Sequence, residues 1–294
     1  MKPLRVCMLG FGEVGQTLAA DLRARVGRLT AWDLKFSDGA SDPSRAAARL
    51  EIFSADAGRA VAQSDLVISA VTAAQTAEAA RSVARHLPSS AYFFDLNSTS
   101  PAAKCEAASI VESAGGRFVE AAIMSPIAPR GAAAPMLLGG PHAAEFLPLA
   151  IELGFKGATA FSEKLGAAAA AKMCRSVVVK GLEALLMESL LTARSFGVEG
   201  TVLESLRSLD LEDWRATAPY MITRALTHGR RRAEEMREAA RTVAEAGFAP
   251  RMSGACAEWQ EWASHHSAAV DGRLETMLDT MLAAQRPLVP RDAP

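Results

Sequence analysis

Several features that mark membrane proteins or nucleic-acid-binding proteins are missing from this chain of 294 residues. No apolar run is long enough to span a membrane. Lysine and arginine number 32 against 33 for aspartate and glutamate, and a formal net charge of −1 gives no reason to expect an anionic surface as a partner. We therefore expect neither nucleic acid nor a membrane among its partners.

Cysteine is also scarce, and its placing excludes the usual cysteine-based sites. The four cysteines show no CxxC pair and no spacing typical of a metal site, so we expect free thiols and no bound metal. They are Cys7, Cys105, Cys174 and Cys256. A strand is predicted within a few residues of Met1, which leaves no room for a signal peptide. Together these observations predict a cytoplasmic protein.

Apolar side chains are abundant instead. Half of the residues are hydrophobic and 22% are charged, which is typical of a globular chain rather than a disordered one. At this length we expect two domains, each with a substantial core.

The segment 4–33 has the pattern of a strand, a glycine-rich turn, a helix and a second strand that ends in an acid. Gly10, Gly12 and Gly15 follow the first apolar run in GxGxxG spacing, which permits a tight turn, close approach of a pyrophosphate and close packing of the helix. The N–H groups at the start of that helix suit an anion. Asp33 closes the second strand, where a carboxylate accepts hydrogen bonds from an adenosine ribose and repels a 2′-phosphate. The segment predicts dinucleotide binding.

The acid favours NAD over NADP, although the cation Lys35 could neutralise a 2′-phosphate and leaves NADP open. We expect the cofactor to contact the glycine turn, the acid and the ends of two further strands. These residues are Gly10, Phe11, Gly12, Glu13, Val14, Gly15, Asp33, Val71, Thr72 and Asn97.

Strand and helix patterns alternate up to residue 162, which predicts a parallel, doubly wound sheet with an appended mixed portion. A short strand is expected at Glu51–Phe53, and Ser100 with Pro101 is a typical helix start. From Glu163 the pattern is helical alone, and the first segment, up to Phe196, holds no proline. Its 34 residues would span about 50 Å, more than a small domain covers.

Four more helices are predicted: 198–208, 217–229, 231–246 and 254–284, with a tail over the last ten residues. The fold class is therefore an α/β Rossmann-type N-terminal domain over 1–162, followed by an all-α C-terminal domain over 163–294. We expect the second domain to serve the substrate and dimerisation.

Lys172 is the candidate for acid–base chemistry. A run of five alanines precedes it and Met-Cys follows it, so no polar face lies beside it on the helix. An amine in such surroundings is partly desolvated, which lowers its pKa and makes it usable as a base or acid near neutrality. The alternative is that Lys172 is solvated, as most lysines are.

Four motifs occur in a distinctive order, GFGEVG, DLNSTSP, VEAAIMSP and GAAAAAKMCRS. With them the chain resembles the β-hydroxyacid dehydrogenases, which include 6-phosphogluconate and 3-hydroxyisobutyrate dehydrogenases. Residues 172–198 more closely resemble a branch with a 6-phosphogluconate dehydrogenase NAD-binding domain and a distinct C-terminal domain. The resemblance implies an NAD(P)-dependent oxidoreductase that acts on a small hydroxyacid or related carbonyl substrate. It also implies a homodimer with interlocked helical domains.

The resemblance implies a role for each matching residue. The family's GxGxxxKxxxN motif supplies a catalytic lysine, and its frame here gives Gly166, Lys172 and Ser176, with Ser176 in place of the asparagine. The segment that lies near the nicotinamide and substrate in the family makes Asn97 and Ser98 further catalytic candidates.

The substrate side departs from the family. In the motif that binds the substrate carboxylate, Met124 stands at the serine position and Ser125 is displaced by one. A Lys-Asp pair of the family falls on Glu234-Glu235, with Arg231 just upstream. We expect Met124, Ser125, Lys172, Ser176 and Arg231 at the substrate, and a substrate other than 6-phosphogluconate. Arg231 has an alternative role on a solvated helix face of mutually paired charges.

Two other functions remain open. Imine reductases share the layout of a Rossmann domain, a long helix and a helical dimerisation domain, but lack a catalytic lysine at the equivalent place. A non-catalytic dinucleotide sensor would bind the cofactor without oxidising it, and it would have no need of a desolvated lysine.

Overall fold

A computed structural model describes residues 3–206, 213–245 and 247–284. Contacts divide the chain into two compact units, Met1–Val177 and Val178–Pro294. The predicted domain boundary at residue 162 coincides with the end of the last strand, and the first turns of the following long helix belong to the first unit.

The first unit is built on one seven-stranded sheet with the order β2-β1-β3-β4-β5-β6-β7. Neighbouring strands are parallel except for β5 and β6, which are antiparallel, so the expected mixed portion is confirmed. The strands are β1 Arg5–Leu9, β2 Arg28–Trp32, β3 Leu66–Ser69, β4 Tyr92–Asp95, β5 Arg117–Ile123, β6 Met136–Gly139 and β7 Ala158–Ser162.

Helices cover both faces of this sheet, because its strands are apolar on both sides. In β4, Phe93 stacks on Phe118 on one face, with ring centroids 5.9 Å apart, and Phe94 packs on Phe146 on the other at 4.8 Å. The helices of this unit are α1 Glu13–Leu22, α2 Asp42–Leu50, α3 Ala57–Val61, α4 Thr76–Ala84, α5 Pro101–Ser113 and α6 Ala143–Glu152. Helix α7, Ala167–Ser195, begins in this unit and ends in the second.

Two local expectations have opposite outcomes. Helix α5 begins as predicted, since Ser100 Oγ accepts a hydrogen bond from the N–H of Ala103 at 3.3 Å and Pro101 is the first helical residue. The strand expected at Glu51–Phe53 is wrong. That segment makes only an isolated bridge between Ala31 and Phe53 at the edge of β2, because the chain turns away on both sides of it.

The second unit is helical, with α8 Glu199–Leu206, α9 Trp214–Glu245, α10 Arg251–Ser264 and α11 Leu274–Ala284. The helices predicted over 217–229 and 231–246 are in fact one, α9. Gly229 lies inside α9 and does not end it. A Cβ there would lie 2.3 Å from the carbonyl oxygen of Gln260, so the glycine allows α10 to pack closely. The single helix predicted over 254–284 is instead two, interrupted near Gly272, whose φ is +77°.

The tail predicted over the last ten residues lies outside the described residues. Within 3–206, 213–245 and 247–284, no helix is both apolar enough and long enough for a membrane crossing.

Candidate functional site

The glycine turn after β1 has the geometry that its spacing predicts. Gly10 has a φ of +92°, and a Cβ there would lie 2.4 Å from the carbonyl oxygen of Ala70. A Cβ on Gly15 would lie 2.3 Å from the carbonyl oxygen of Gly10, so this glycine lets α1 sit against the turn. Nothing lies within 4 Å of the place where a Cβ of Gly12 would be. The turn is therefore closed at two glycines and open at the third, which faces a cavity.

Asp33 is held in place by the backbone. One carboxylate oxygen accepts the N–H of Phe11 at 2.7 Å, and the other accepts the N–H of Lys35 at 2.8 Å. The bond from Phe11 joins the end of β2 to the glycine turn. The Phe11 ring is buried in the core, so this residue contributes only backbone to the site.

A first cavity of about 440 Å³ lies at the carboxyl ends of β1, β2 and β3. This edge of a parallel sheet is where dinucleotides bind, beside the N-terminus of the first helix. The predicted cofactor residues on its wall are Gly10, Gly12, Glu13, Val14, Asp33, Val71 and Thr72.

A second cavity, of about 520 Å³, adjoins the first and shares Glu13, Val14, Ala70, Val71 and Thr72 with it. Its remaining wall comes from the segments after β4 and β5 and from the second turn of α7. Four predicted residues, distant in sequence, meet on this wall: Asn97, Ser98, Ser125 and Lys172. Most of the other lining residues are apolar, among them Leu96, Ile123, Pro126 and Ile127.

The Asn97 amide is engaged in hydrogen bonds within the protein. It is buried, and its Oδ1 accepts the N–H of Val71 at 2.7 Å, while its Nδ2 donates to Ser69 Oγ at 2.9 Å and to the Asp95 carboxylate. Asn97 therefore holds together the segments after β3 and β4, and the exposed Ser98 beside it presents a hydroxyl to the cavity.

The other predicted site residues lie elsewhere. Met124 and Ser176 are half-buried and line neither cavity. Arg231 is exposed on α9 in the second unit, where it lines a separate depression with His228 and Glu234. Two cations near Arg231 contact α10: Arg237 pairs with Glu261 at 2.7 Å, and Arg232 donates to Gln260 at 3.2 Å. Within the described parts of the chain, no group of three acidic, histidine or cysteine side chains could hold a metal ion.

Three buried charged residues, on β4, α5 and β5, were not predicted. Lys104 of α5 donates to the Asp95 carboxylate at 2.6 Å and to its carbonyl oxygen at 2.9 Å, and both side chains are almost fully buried. Glu120, in the middle of β5, has no solvent exposure. A sequence signal existed for both acids, since each interrupts an apolar strand, AYFFDL or FVEAAI.

Glu120 caps the start of α7. Its two carboxylate oxygens accept the N–H groups of Gly166 at 3.0 Å and Ala168 at 2.9 Å. Burial raises the pKa of the Glu120 carboxyl, and these backbone donors and the Lys104 ammonium act in the opposite direction. Burial likewise raises the pKa of Asp95, opposed first by Lys104.

The residues of the first cavity fit a dinucleotide. The open space at Gly12 is a cradle that a Cβ would fill, and the first N–H groups of α1 have no carbonyl one turn earlier to pair with. The lining of the second cavity includes Lys172, Ser98 and Ser125 among mostly apolar residues, and these residue types suit proton transfer to or from a substrate oxygen.

Comparisons with known proteins agree with this geometry. Residues 5–145 match the family described as the NAD binding domain of 6-phosphogluconate dehydrogenase. Residues 193–263 match a domain of unknown function, DUF1932. An uncharacterized 28.5 kDa protein of Methanothermus fervidus is 26% identical over 252 residues, which are 85% of this chain and 94% of that one.

Two solved structures are more similar. A conserved hypothetical protein from Sinorhizobium meliloti is 34% identical, with a TM-score of 0.58 and coverage of 96% of this chain and 97% of that one. The conserved protein MTH1747, described as structurally similar to 3-hydroxyacid dehydrogenases, is 32% identical, with a TM-score of 0.57 and coverage of 88% and 98%.

More distant structures share the fold alone. An imine reductase from Myxococcus stipitatus, in complex with NADP+, is 17% identical over 94% of this chain and 99% of its own, with a TM-score of 0.70. The 3-hydroxyisobutyrate dehydrogenase of Mycobacterium tuberculosis, with L-serine, is also 17% identical, over 97% and 100%, with a TM-score of 0.59.

The glycine turn yields a paired prediction. Gly12→Ala should fold with nearly the stability of the wild type, because its Cβ meets open space, but should weaken dinucleotide binding at least about tenfold by crowding the phosphates. Gly10→Ala should lower the free energy of unfolding by about 1–3 kcal/mol, because of its positive φ and the contact with Ala70. Denaturant unfolding and cofactor titration by fluorescence measure both effects. Equal cofactor affinity of Gly12→Ala and wild type would contradict the assignment of the turn.

Proposed function

Because the chain belongs to the β-hydroxyacid dehydrogenase-like superfamily and carries an NAD-binding domain, we propose that it interconverts the carbinol and carbonyl forms of a β-hydroxyacid-like substrate, with Lys172 as general acid and base. NAD(P) is its cofactor, and a bound nicotinamide supplies the hydride acceptor or donor. The observation that carries the proposal is the position of Lys172 on the second cavity, which adjoins the first.

The residues that line the second cavity have different proposed roles. Lys172, in its neutral form, takes the proton of the substrate hydroxyl as the carbon is oxidised, and returns it in the reductive direction. Ser98 and Ser125 offer hydroxyls that orient the reacting oxygen. Asn97 acts through the segments it joins. Ser176, one turn beyond Lys172, stays a prediction for a further orienting hydroxyl.

The substrate is proposed to differ from 6-phosphogluconate. On the second cavity, Lys172 is the one cation among the lining residues that the structure describes, and Glu13 contributes a carboxyl group. Such a wall favours a small, weakly charged substrate over a phosphorylated one. Arg231 stays a prediction for an anion-binding residue.

Replacing Lys172 tests the proposal. A screen of 3-hydroxyacids and related alcohols with NAD and with NADP, read by absorbance of the reduced nicotinamide, first identifies a substrate. Lys172→Ala should then reduce turnover roughly 10²-fold or more, because the proton acceptor is gone, and leave dinucleotide affinity nearly unchanged. Lys164→Ala, which removes an exposed lysine two turns earlier in the sequence, is the matched control and should behave as wild type. Unchanged turnover in Lys172→Ala would refute the assignment.

We propose further that NAD is preferred over NADP. The Asp33 carboxylate is fixed by two backbone N–H groups and cannot turn aside easily to admit a 2′-phosphate. Asp33 lines the first cavity, where a ribose diol can donate to its carboxylate.

Asp33→Ser should therefore raise the KM for NAD by about tenfold, because one charge-assisted hydrogen bond to the ribose is lost. The preference for NAD over NADP should become smaller or reverse. Asp38→Ser is the control, since Asp38 also caps a turn, through the N–H of Ala40, but does not line the cavity. Steady-state kinetics with each cofactor measure the change. If the ratio of the KM for NADP to the KM for NAD stays at the wild-type value, Asp33 does not select the cofactor.

Imine reduction is the second candidate, and the likeness of fold to imine reductases favours it. Cyclic imines with NADPH, run beside the hydroxyacid screen, separate the two reactions. A non-catalytic sensor is the third candidate, and it would bind the cofactor tightly without turnover of any substrate.

We also propose a homodimer in the cytoplasm, a reducing compartment that suits the four free cysteines. In the second unit, α9, α10 and α11 form an apolar depression of about 320 Å³, and three of its apolar side chains are exposed: Trp259, Leu278 and Leu282. An exposed apolar surface of this kind marks an interface more often than a free face.

Trp259→Lys should shift the protein toward the monomer, because a charge replaces an aromatic anchor of the apolar surface. Ile151→Lys, a similar change at a partly exposed position in the first unit, should leave the mass unchanged. Light scattering coupled to size exclusion measures the molar mass. A wild-type protein with the mass of one chain would disprove the dimer.

A further inference from the structure

Three buried charged side chains, Asp95, Lys104 and Glu120, lie at the carboxyl edge of the sheet, and we refer to them as the buried charge cluster. Their three elements are β4, α5 and β5, which are neighbours in the first unit. Lys104 uses its ammonium on the Asp95 carboxylate, on the Asp95 carbonyl oxygen at 2.9 Å and on the carbonyl oxygen of Ala121 at 3.4 Å. Its partners are therefore all on β4 and β5.

Each acid of the cluster reaches a different wall of the second cavity. Asp95 accepts from the Asn97 amide, and Asn97 in turn holds the N–H of Val71. Glu120 reaches the other way, to the N–H groups of Gly166 and Ala168 at the start of α7. The segments after β3 and β4 are thus tied to the Lys104–Asp95 pair, and the first turn of α7 is tied to Glu120, the register partner of Asp95 on the neighbouring strand.

The reach of Glu120 depends on a neighbouring glycine. Gly139 of β6 lies opposite Glu120 in the antiparallel register, and a Cβ there would lie 2.2 Å from Oε1 of the carboxylate. The absence of a side chain at Gly139 leaves the space in which the carboxylate lies flat against the helix start. The carboxylate and the helix N-terminus also attract each other, because the first N–H groups carry partial positive charge.

Lys172 stands one helical turn after Ala168, the second residue that Glu120 caps. The position of the amine in the cavity therefore depends on where α7 begins and on its direction over the first turn. The residues between, Ala169–Ala171, are small, and Ala168 and Ala169 are buried, so packing and the Glu120 hydrogen bond together fix this turn.

We infer that Glu120 is a positioning residue for Lys172: by capping α7 from the sheet, it sets the amine against the wall that carries Asn97 and Ser98. The inference rests on the proposed role of Lys172. Glu120 touches neither cavity, so it acts through the helix and not on the substrate. A carboxylate suits this task because it accepts both N–H groups at once, whereas an amide turns an NH2 group toward one of them.

The test uses Glu120→Gln and Glu120→Asp in the full-length chain with the substrate and cofactor found by the screen. Glu120→Gln keeps the size of the side chain and loses one acceptor, and Glu120→Asp keeps the charge beside Lys104 but shortens the reach by one methylene. We expect kcat to fall by about 10- to 10²-fold in Glu120→Gln and by less in Glu120→Asp, since a shift of about 1 Å in a catalytic group has effects of this size. The KM for the cofactor should stay within about twofold of the wild-type value, because the first cavity is untouched.

Asp65→Asn is the matched control. The Asp65 carboxylate also accepts a backbone N–H, that of Arg5 at 2.9 Å, but at the opposite edge of the sheet. It should lose stability with little change in kcat. Hydrogen exchange of the Gly166 and Ala168 amides should speed up in both Glu120 variants and not in Asp65→Asn.

Combination with Lys172→Ala separates positioning from general damage. If Glu120 acts through Lys172, then Glu120→Gln should lower kcat no further in the Lys172→Ala background. The inference would be overturned if Glu120→Gln lowered kcat as much in the Lys172→Ala background as in the wild type, or if folded Glu120→Gln had the kcat of the wild type. If Glu120→Gln does not fold, the same two criteria apply to Glu120→Asp. Failure of the proposed function would give a different result, because Lys172→Ala would then turn over the substrate as fast as the wild type.

Discussion

The pairing of Lys104 with Asp95 is the interaction on which the site depends. Taking each ion out of water costs several kcal/mol, so the pair is tolerated only because each partner has further hydrogen bonds. Lys104 is bound to the carbonyl oxygens of Asp95 and Ala121, and Asp95 also accepts from Asn97. The pair therefore collects polar backbone and amide groups at the edge of a sheet that is otherwise apolar, and one of them, Asn97, lines the second cavity.

The N-termini of α1 and α7 differ in their electrostatic state. The glycine turn leaves the first N–H groups of α1 open for an anion, whereas the equivalent groups of α7 are neutralised by the Glu120 carboxylate. One helix start is thus available to phosphate and the other is not. This difference supports our proposal that the first cavity takes the dinucleotide and that Lys172, on the second, exchanges a proton with the substrate.

Much of the first cavity could be predicted from residues close in sequence. The spacing of Gly10, Gly12 and Gly15 depends on local backbone geometry, and Asp33 follows within the same βαβ unit. Glu120 and Lys104 could not be assigned in the same way, because each has its partners on elements that are distant in sequence. Helix ends in the second unit were also missed: Gly229 looked like a stop, but its role in packing against α10 depends on a neighbour that the local pattern does not contain.

By itself, the order of apolar runs, glycines and acids determined the doubly wound sheet, the helical second half and the dinucleotide turn, because these follow from local periodicity and turn chemistry. Only the tertiary structure decided that Asn97 is a buried link, that Ser98, Ser125 and Lys172 share one cavity, and that Met124 and Ser176 do not line it. The physical reason is that a side chain's surroundings are set by the packing of neighbouring elements. Glu120 owes its role to the space at Gly139 and to the start of α7, 46 and 48 residues away.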